Sequence, residues 1–209
     1  MSRLATSFVL GYHGCEKSVG MAALRREIVL KPSAKGFDWL GRGVYFWEGD
    51  PQRAWEWAMW KKGRGEYKEP FVIGTVIDLG NCLDLTAREN IDLLPDAYEG
   101  VVAEMAKAGK KLPQNVNAPD DPFKDKLLRY LDYAVIEKVH ASIEEAAAAR
   151  VTGVEPFDTV RGLFQEGDRA YPEGGIFAKS HTQIAVRNLK AIKGVFLPDP
   201  AYHSTPQVV

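Results

Sequence analysis

Short runs of branched and aromatic residues stand at both ends of this chain, and stripes at helical spacing fill its middle. Phe8-Val9-Leu10 with Tyr12, then Val44–Trp47 and Phe71–Leu79, read as strands, Gly74 marking a bulge in the third. Thr182–Arg187 and Ala191–Pro198 read as two more, joined by the turn Asn188-Leu189-Lys190. In the interior, Tyr98, Val101, Val102 and Met105 recur as on one helix face up to Gly109, and Leu127, Leu128, Leu131, Val135 and Val139 form a second stripe. Ser142 with Glu145 reads as a capping box opening a fresh helix. Two helices are expected earlier, one capped by Ser18 and running to Pro32, the other started by Asp50-Pro51 and ending near Gly63. Residues 33–43 and 110–122 are rich in glycine, proline and turn formers and read as loops. Such an order implies an α+β fold with helices inserted between strands.

At 209 residues the chain suits a single domain, residues 1–209, with 198–209 a frayed tail. Its net charge of −1 argues against a strongly electrostatic nucleic-acid binder, although a local basic groove would not show in the total. Cys15 and Cys82 cannot build a disulfide framework, and no close Cys/His spacing suggests a metal site, so a reducing, cytoplasmic location is expected. No leader is visible, and no apolar run approaches the roughly 20 residues of a membrane helix, so a soluble protein with no membrane partner is expected.

Two motifs carry chemistry. His13-Gly14 ends the first strand, where a sheet meets solvent and a glycine leaves its backbone open to close approach. Gly41-Arg42-Gly43-Val44-Tyr45-Phe46 leads into the second. In type, order and separation the pair resembles the ADP-ribosyltransferase superfamily, in the branch of diphtheria toxin and the poly(ADP-ribose) polymerases. The resemblance spans about the first 80 residues and extends to the C-terminal strands; the helical middle contributes no motif.

The resemblance implies an ADP-ribosyltransferase-like fold, with two small, mainly antiparallel sheets around a central NAD+ cleft. It implies that Gly14 offers its N–H and C=O to the nicotinamide carboxamide and that His13 bonds a ribose hydroxyl. Tyr45 would stack on the cationic nicotinamide ring, with dispersion and cation–π attraction. A branched side chain at Gly14 or Gly43 is then expected to block the ligand rather than the fold. The family's third element is a glutamate that opens a late strand and stabilises an oxocarbenium-like transition state. Here that position is Gln183, a departure that favours single transfer over chain elongation. Glu166 and Glu173, in the preceding loop, are alternatives to it. A second family aromatic, about eleven residues past the tyrosine, falls on Glu56 without gaps, and a one-residue shift makes Trp57 the pocket wall. Arg42 stands where it would meet the pyrophosphate. Cys15 reads as an inert wall, and Arg161, Lys179 and His181 as solvated positions.

The implied activity is NAD+-dependent mono-ADP-ribosyl transfer, with NAD+ as substrate, no metal, and a protein or nucleic acid as acceptor. A toxin or defence effector is one such enzyme, and a neutralising protein is then an expected partner. Three rivals share the fold: an NAD+ glycohydrolase, a catalytically silent module binding NAD+ or ADP-ribose, and an RNA 2′-phosphotransferase. The last is disfavoured by the absence of a second histidine motif and of a strongly basic chain.

Overall fold

The computed structural model describes residues 8–199 apart from Ala34 and Asp120, so most of the expected tail lies outside the described residues. Its N-terminal elements are β1 (Phe8–Glu16), α1 (Lys17–Leu24), β2 (Val44–Glu48), α2 (Pro51–Gly63), β3 (Pro70–Asp78) and β4 (Cys82–Asp84). A helical stretch follows, α3 (Arg88–Ile91), α4 (Leu94–Lys107) and α5 (Tyr130–Ala148), with the short strands β5 (Asn115–Val116) and β6 (Leu128–Arg129) between α4 and α5. β7 (Thr159–Phe164), β8 (His181–Val186) and β9 (Ile192–Phe196) complete the fold.

The fold is α+β, but its strands do not form the two small sheets expected. Seven of them make one mixed sheet in the order β4-β7-β8-β2-β1-β3-β9, and β5 and β6 form a separate ribbon. Every neighbouring pair is antiparallel except β4 and β7. β1 pairs with β3 along its whole length, Phe8↔Asp78 to Glu16↔Pro70. Its pairing with β2 is far shorter, only Gly11↔Glu48 and Tyr12↔Trp47. The sheet is therefore continuous yet nearly divided between these two strands.

Side chains alternate across a sheet, so register assigns faces. Tyr12, Tyr45, Trp47, Val160, Gln183 and Ala185 share one face. Over its β4–β7–β8 part lie α4 and α5, whose Ala97, Val101, Val135, Ile136 and Val139 pack with Leu83, Val160 and Ala185. Over β1 and β3 lies α2, with Ala54 against Trp47 and Val72. The opposite face carries Val44, Phe46, Ile73, Ile77 and Ile184 and packs against Ala23 of α1. Each large side chain fully buried here, Phe46 for one, contributes about 1.5–3 kcal/mol.

Local signals explain where the helices start and stop. Asp50 accepts the Arg53 N–H at 2.9 Å, and Pro51 occupies the first turn of α2, as its sequence indicates. α4 closes at Gly109, whose φ of 63° lets the Lys110 N–H reach the Met105 carbonyl at 2.9 Å. α1 is shorter than expected and makes no side-chain cap bond. It stops because Arg26 turns left-handed (φ 61°) and the Glu27 N–H bonds the Ala22 carbonyl. The capping box at Ser142 is not used, since α5 runs unbroken through an alanine- and glutamate-rich stretch of high helix propensity. Gly74 is no bulge: the register shift falls between Val76 and Ile77, and the glycine makes room for the Phe196 ring.

Two buried histidines make this fold sensitive to acid. Burial pushes His140 of α5 and His181 of β8 down to about 4. Their folded values lie below the unfolded one near 6.5, so the unfolded chain takes up protons first as pH falls. Stability is then full above about pH 6.5 and declines towards pH 4, by about 3 kcal/mol per histidine. Urea unfolding at pH 7.5 and pH 4.5 measures this loss. His140→Leu, which also removes an Nε2 without a partner among the described residues, is expected to remove the His140 share, about 3 kcal/mol, while His181 and His13 keep theirs. An unchanged slope in that variant rules the origin out.

Candidate active site

Extending the β1/β2 register by two residues would set Gly14 opposite Tyr45, but the ladder ends before that rung. The Leu10 carbonyl accepts the Gly49 N–H at 2.9 Å, on the β2 side of β1. Backbone groups alternate direction along a strand, so Tyr12 and Gly14 also direct theirs towards β2. The split thus leaves Gly14 with an N–H and a C=O on an edge that β2 has abandoned. His13 enters the gap instead and donates its Nδ1–H to the Tyr45 carbonyl oxygen at 2.8 Å. That bond fixes the tautomer and leaves Nε2 as an acceptor. Burial lowers the His13 pKa against the opposing pull of the carbonyl, so the ring is neutral near pH 7.

His13 and Tyr45 do meet, but not as two side chains embracing one ligand. The His13 ring lies 5.6 Å from that of Phe46, on the α1 face, whereas Tyr45 belongs to the α5 face. The Tyr45 hydroxyl donates to the Gly41 carbonyl at 2.7 Å and accepts the Leu40 N–H at 3.0 Å. Burial raises its pKa well above the ordinary tyrosine value. Tyr45 therefore pins the glycine-rich loop, in which Gly41 adopts a φ of 77°. Gly43 lacks a side chain for a different reason, since a Cβ there would press on the Val186 carbonyl at 3.0 Å. Gly14 has the same constraint from above, where a Cβ would drive into the Ala54 carbonyl of α2. The expectation that a side chain at Gly14 spares the fold is corrected by this close approach.

Gln183 and Tyr45 share the α5 face of neighbouring strands. The Gln183 amide is engaged at both ends: Oε1 accepts the Trp39 Nε1–H at 2.7 Å, and Nε2 donates to His181 Nε2 at 3.0 Å. His181, expected in solvent, is 5% exposed and donates Nδ1–H to the Lys179 carbonyl at 2.7 Å. Beside it stands Glu166, with Oε2 at 3.9 Å from His181 Nδ1 and 2.7 Å from Arg53 Nη2 of α2. Burial raises the Glu166 pKa, and Arg53 acts against that shift. Glu166 is held at the base of its loop, where its carbonyl accepts the Lys179 N–H at 2.9 Å. Glu173 is exposed at a left-handed turn (φ 61°) of the same loop.

On α2, Arg53 also pairs with Glu56, and Trp57 lies 5.9 Å from Trp47, 36% exposed. Trp47 is 5% exposed, and its Nε1 and Arg53 Nε are buried without partners among the described residues. These two donors, the Glu166 carboxylate and the indoles of Trp47 and Trp57 converge where α2 meets the start of β8. Trp39, Trp47 and Arg53 escaped sequence reasoning, and His181 was read as solvated although it is buried. The Trp39–Gln183 bond spans 144 residues, and no local pattern marks it.

Other candidates fall elsewhere. Arg42 projects towards α5, where its N–H donates to Glu137 Oε1 at 2.7 Å and its carbonyl accepts from Arg187 at 3.2 Å. It lines a cavity of about 310 Å³ with Pro32, Glu144, Phe157, Arg187 and Asn188. Arg161, on the α1 face, is held by Glu48 at 2.6 Å and Asp84 at 3.1 Å rather than by solvent. Cys15 is 3% exposed, and burial pushes its thiol up to about 12, which makes it an inert wall. Among the described residues no helix is long and apolar enough to cross a membrane.

Comparisons of the chain with protein-family models, with curated proteins and with solved structures gave no match.

The packing separates two kinds of variant. Tyr45→Phe removes both hydroxyl bonds and is expected to lower stability by about 1–3 kcal/mol, read from the urea midpoint. Gly14→Val is expected to prevent native folding, because the obstruction is helix backbone and cannot swing aside. A Gly14→Val protein with the wild-type melting temperature would contradict the placement of α2.

Proposed function

We propose that the protein is an NAD+-dependent mono-ADP-ribosyltransferase acting at the β1/β2 split. The observation that carries this reading is the abandoned Gly14 edge with the His13 imidazole set beside it. A carboxamide needs one acceptor and one donor, and the freed C=O and N–H of one extended glycine supply both. His13 Nε2 is an acceptor for a ribose hydroxyl. Tyr45 holds the loop that borders the site, and Trp57 forms its outer aromatic wall on α2.

Glu166 is the carboxylate of this reading. Gln183, whose amide is committed to Trp39 and His181, positions the surrounding side chains. In the reaction the nicotinamide–ribose bond breaks and its electron pair leaves on the nicotinamide nitrogen. Positive charge develops at the ribose carbon, and Glu166 stabilises it. An acceptor nucleophile bonds to that carbon and gives up its proton to the carboxylate. Burial raises the Glu166 pKa, and the Arg53 ion pair works against that shift in favour of the carboxylate.

One observation favours a second reading, a module that binds NAD+ or ADP-ribose without cleaving it. The polar groups of Tyr45 and Gln183 are both already paired within the fold. Nicotinamide release separates the two readings.

With labelled NAD+ and cell extract, the wild-type protein is expected to release nicotinamide and label a macromolecule. Glu166→Gln should slow release on the order of 10²–10³-fold with little change in NAD+ affinity. Gln183→Glu should not raise the rate, and His13→Ala should weaken NAD+ binding about tenfold to a hundredfold. Calorimetry and melting curves on the same samples separate lost binding from lost folding. NAD+ binding without release selects the silent module, and no binding at all removes both readings.

A further inference from the structure

The stripe Trp55, Met59 and Lys62 of α2 faces away from the Arg53–Trp57 side of the helix. Beside it opens a cavity of about 520 Å³, floored by Trp55, Met59 and Phe71 and rimmed by Lys17, Lys62 and Lys68. This volume lies within the roughly 300–1,000 Å³ common for small-molecule sites. Glu69 is the one carboxylate in the lining, 3.7 Å from Lys17. The nearby Glu16 carboxylate is turned to the backbone, accepting the N–H groups of Lys68 at 2.6 Å and Glu69 at 3.0 Å. The lining itself therefore sets three lysines against one carboxylate, in a chain whose net charge is −1. The groove is also next to the split: Ala54, which backs Gly14, precedes Trp55, and β1 runs from Gly14 into Lys17 within three residues.

We infer that this groove seats the acceptor of the proposed transferase, a single-stranded nucleic acid. One base lies against the Trp55 and Phe71 rings, and its flanking phosphates meet Lys17, Lys62 and Lys68. Aromatic rings among cations are the means by which unpaired bases are held without a sequence code. An acidic peptide would satisfy the lysines but has no planar group for the floor. In a duplex the base faces are covered by their neighbours. The assignment rests on the transferase reading for the word acceptor, while binding is measured without NAD+.

The test is fluorescence anisotropy with a labelled twelve-nucleotide oligo-dT strand, an oligo-U strand, the corresponding duplex and a poly-glutamate peptide. Either single strand is expected to bind, the duplex and peptide at least tenfold more weakly. With three phosphate contacts, affinity should fall roughly twentyfold between 50 and 200 mM salt. The double variant Lys62→Glu/Lys68→Glu, both positions exposed, should lose about a hundredfold in oligonucleotide affinity and keep its melting temperature. Trp55→Leu should lose about tenfold. Nicotinamide release without acceptor, in which water bonds to the ribose carbon instead, is followed in parallel and should be unchanged in the double variant. Absence of single-strand binding, binding that the double variant retains, or preference for the peptide or duplex each overturns the inference. Oligonucleotide binding in a wild-type protein that releases no nicotinamide leaves the groove assigned and removes the transferase reading.

Discussion

The hydrogen bond from His13 Nδ1 to the Tyr45 carbonyl holds together what the strands themselves do not. β1 and β2 share two residue pairs and then diverge, which leaves backbone groups of both without ladder partners. A buried polar group without a partner costs roughly 1–3 kcal/mol, so a split of this kind survives only where something else bonds the unpaired edge. The imidazole does so for Tyr45 and, by entering the gap, prevents the next rung from closing. Gly14 keeps its edge because a side chain from one residue earlier has taken the place of the partner strand. The proposed ligand site is thus a consequence of how the sheet is interrupted.

Around this interruption the molecule relies on close backbone approach. α2 lies so near β1 that only glycine fits at position 14, and β8 approaches the loop into β2 so closely that a Cβ at Gly43 would lie 3.0 Å from the Val186 carbonyl. Helix and strand cannot slide once such contacts form, because the obstructing atoms belong to the backbone. Arg53 then links α2 to the loop before β8 through Glu166, and Trp47 fills the space between them. Groups brought from β1, α2 and β8, far apart in the chain, are held at one place by short-range steric constraints and one ion pair.

Local rules made much of this legible. Asp50-Pro51 marked the start of α2, Gly109 the end of α4, and the branched runs marked β1, β2, β3, β8 and β9. Failures came where tertiary context overrides local pattern. β7 escaped because Arg161 and Gly162 interrupt its apolar run; the glycine admits the Trp39 ring, and the arginine bridges Glu48 and Asp84. The Ser142 box was misleading because α5 already had reason to continue. In the candidate site, His13, Gly14 and the glycine-rich loop stood out by motif. The burial of His181 and the partners of Tyr45 depend on atoms distant in sequence, and alternation alone gave no warning that His13 and Tyr45 face opposite sides.

Gln183 shows why position on a strand is a poor guide to chemical role. Gln183 is the third residue of β8, and its side chain lies in the seam between Trp39 and His181, so a carboxylate there would face the indole Nε1–H of Trp39 and the Nε2 of His181. An amide suits that pair better, since it accepts from the indole and donates to the imidazole, and both neighbours remain neutral. A glutamate could accept from the indole, but it would need a proton on His181 Nε2, and burial opposes that charge. The neutral amide is therefore what this seam requires for packing. In the proposed enzyme the negative charge enters from Glu166, where Arg53 offsets the cost of burying it. Separating the residue that orders the seam from the residue that carries the charge lets each be matched to its own surroundings.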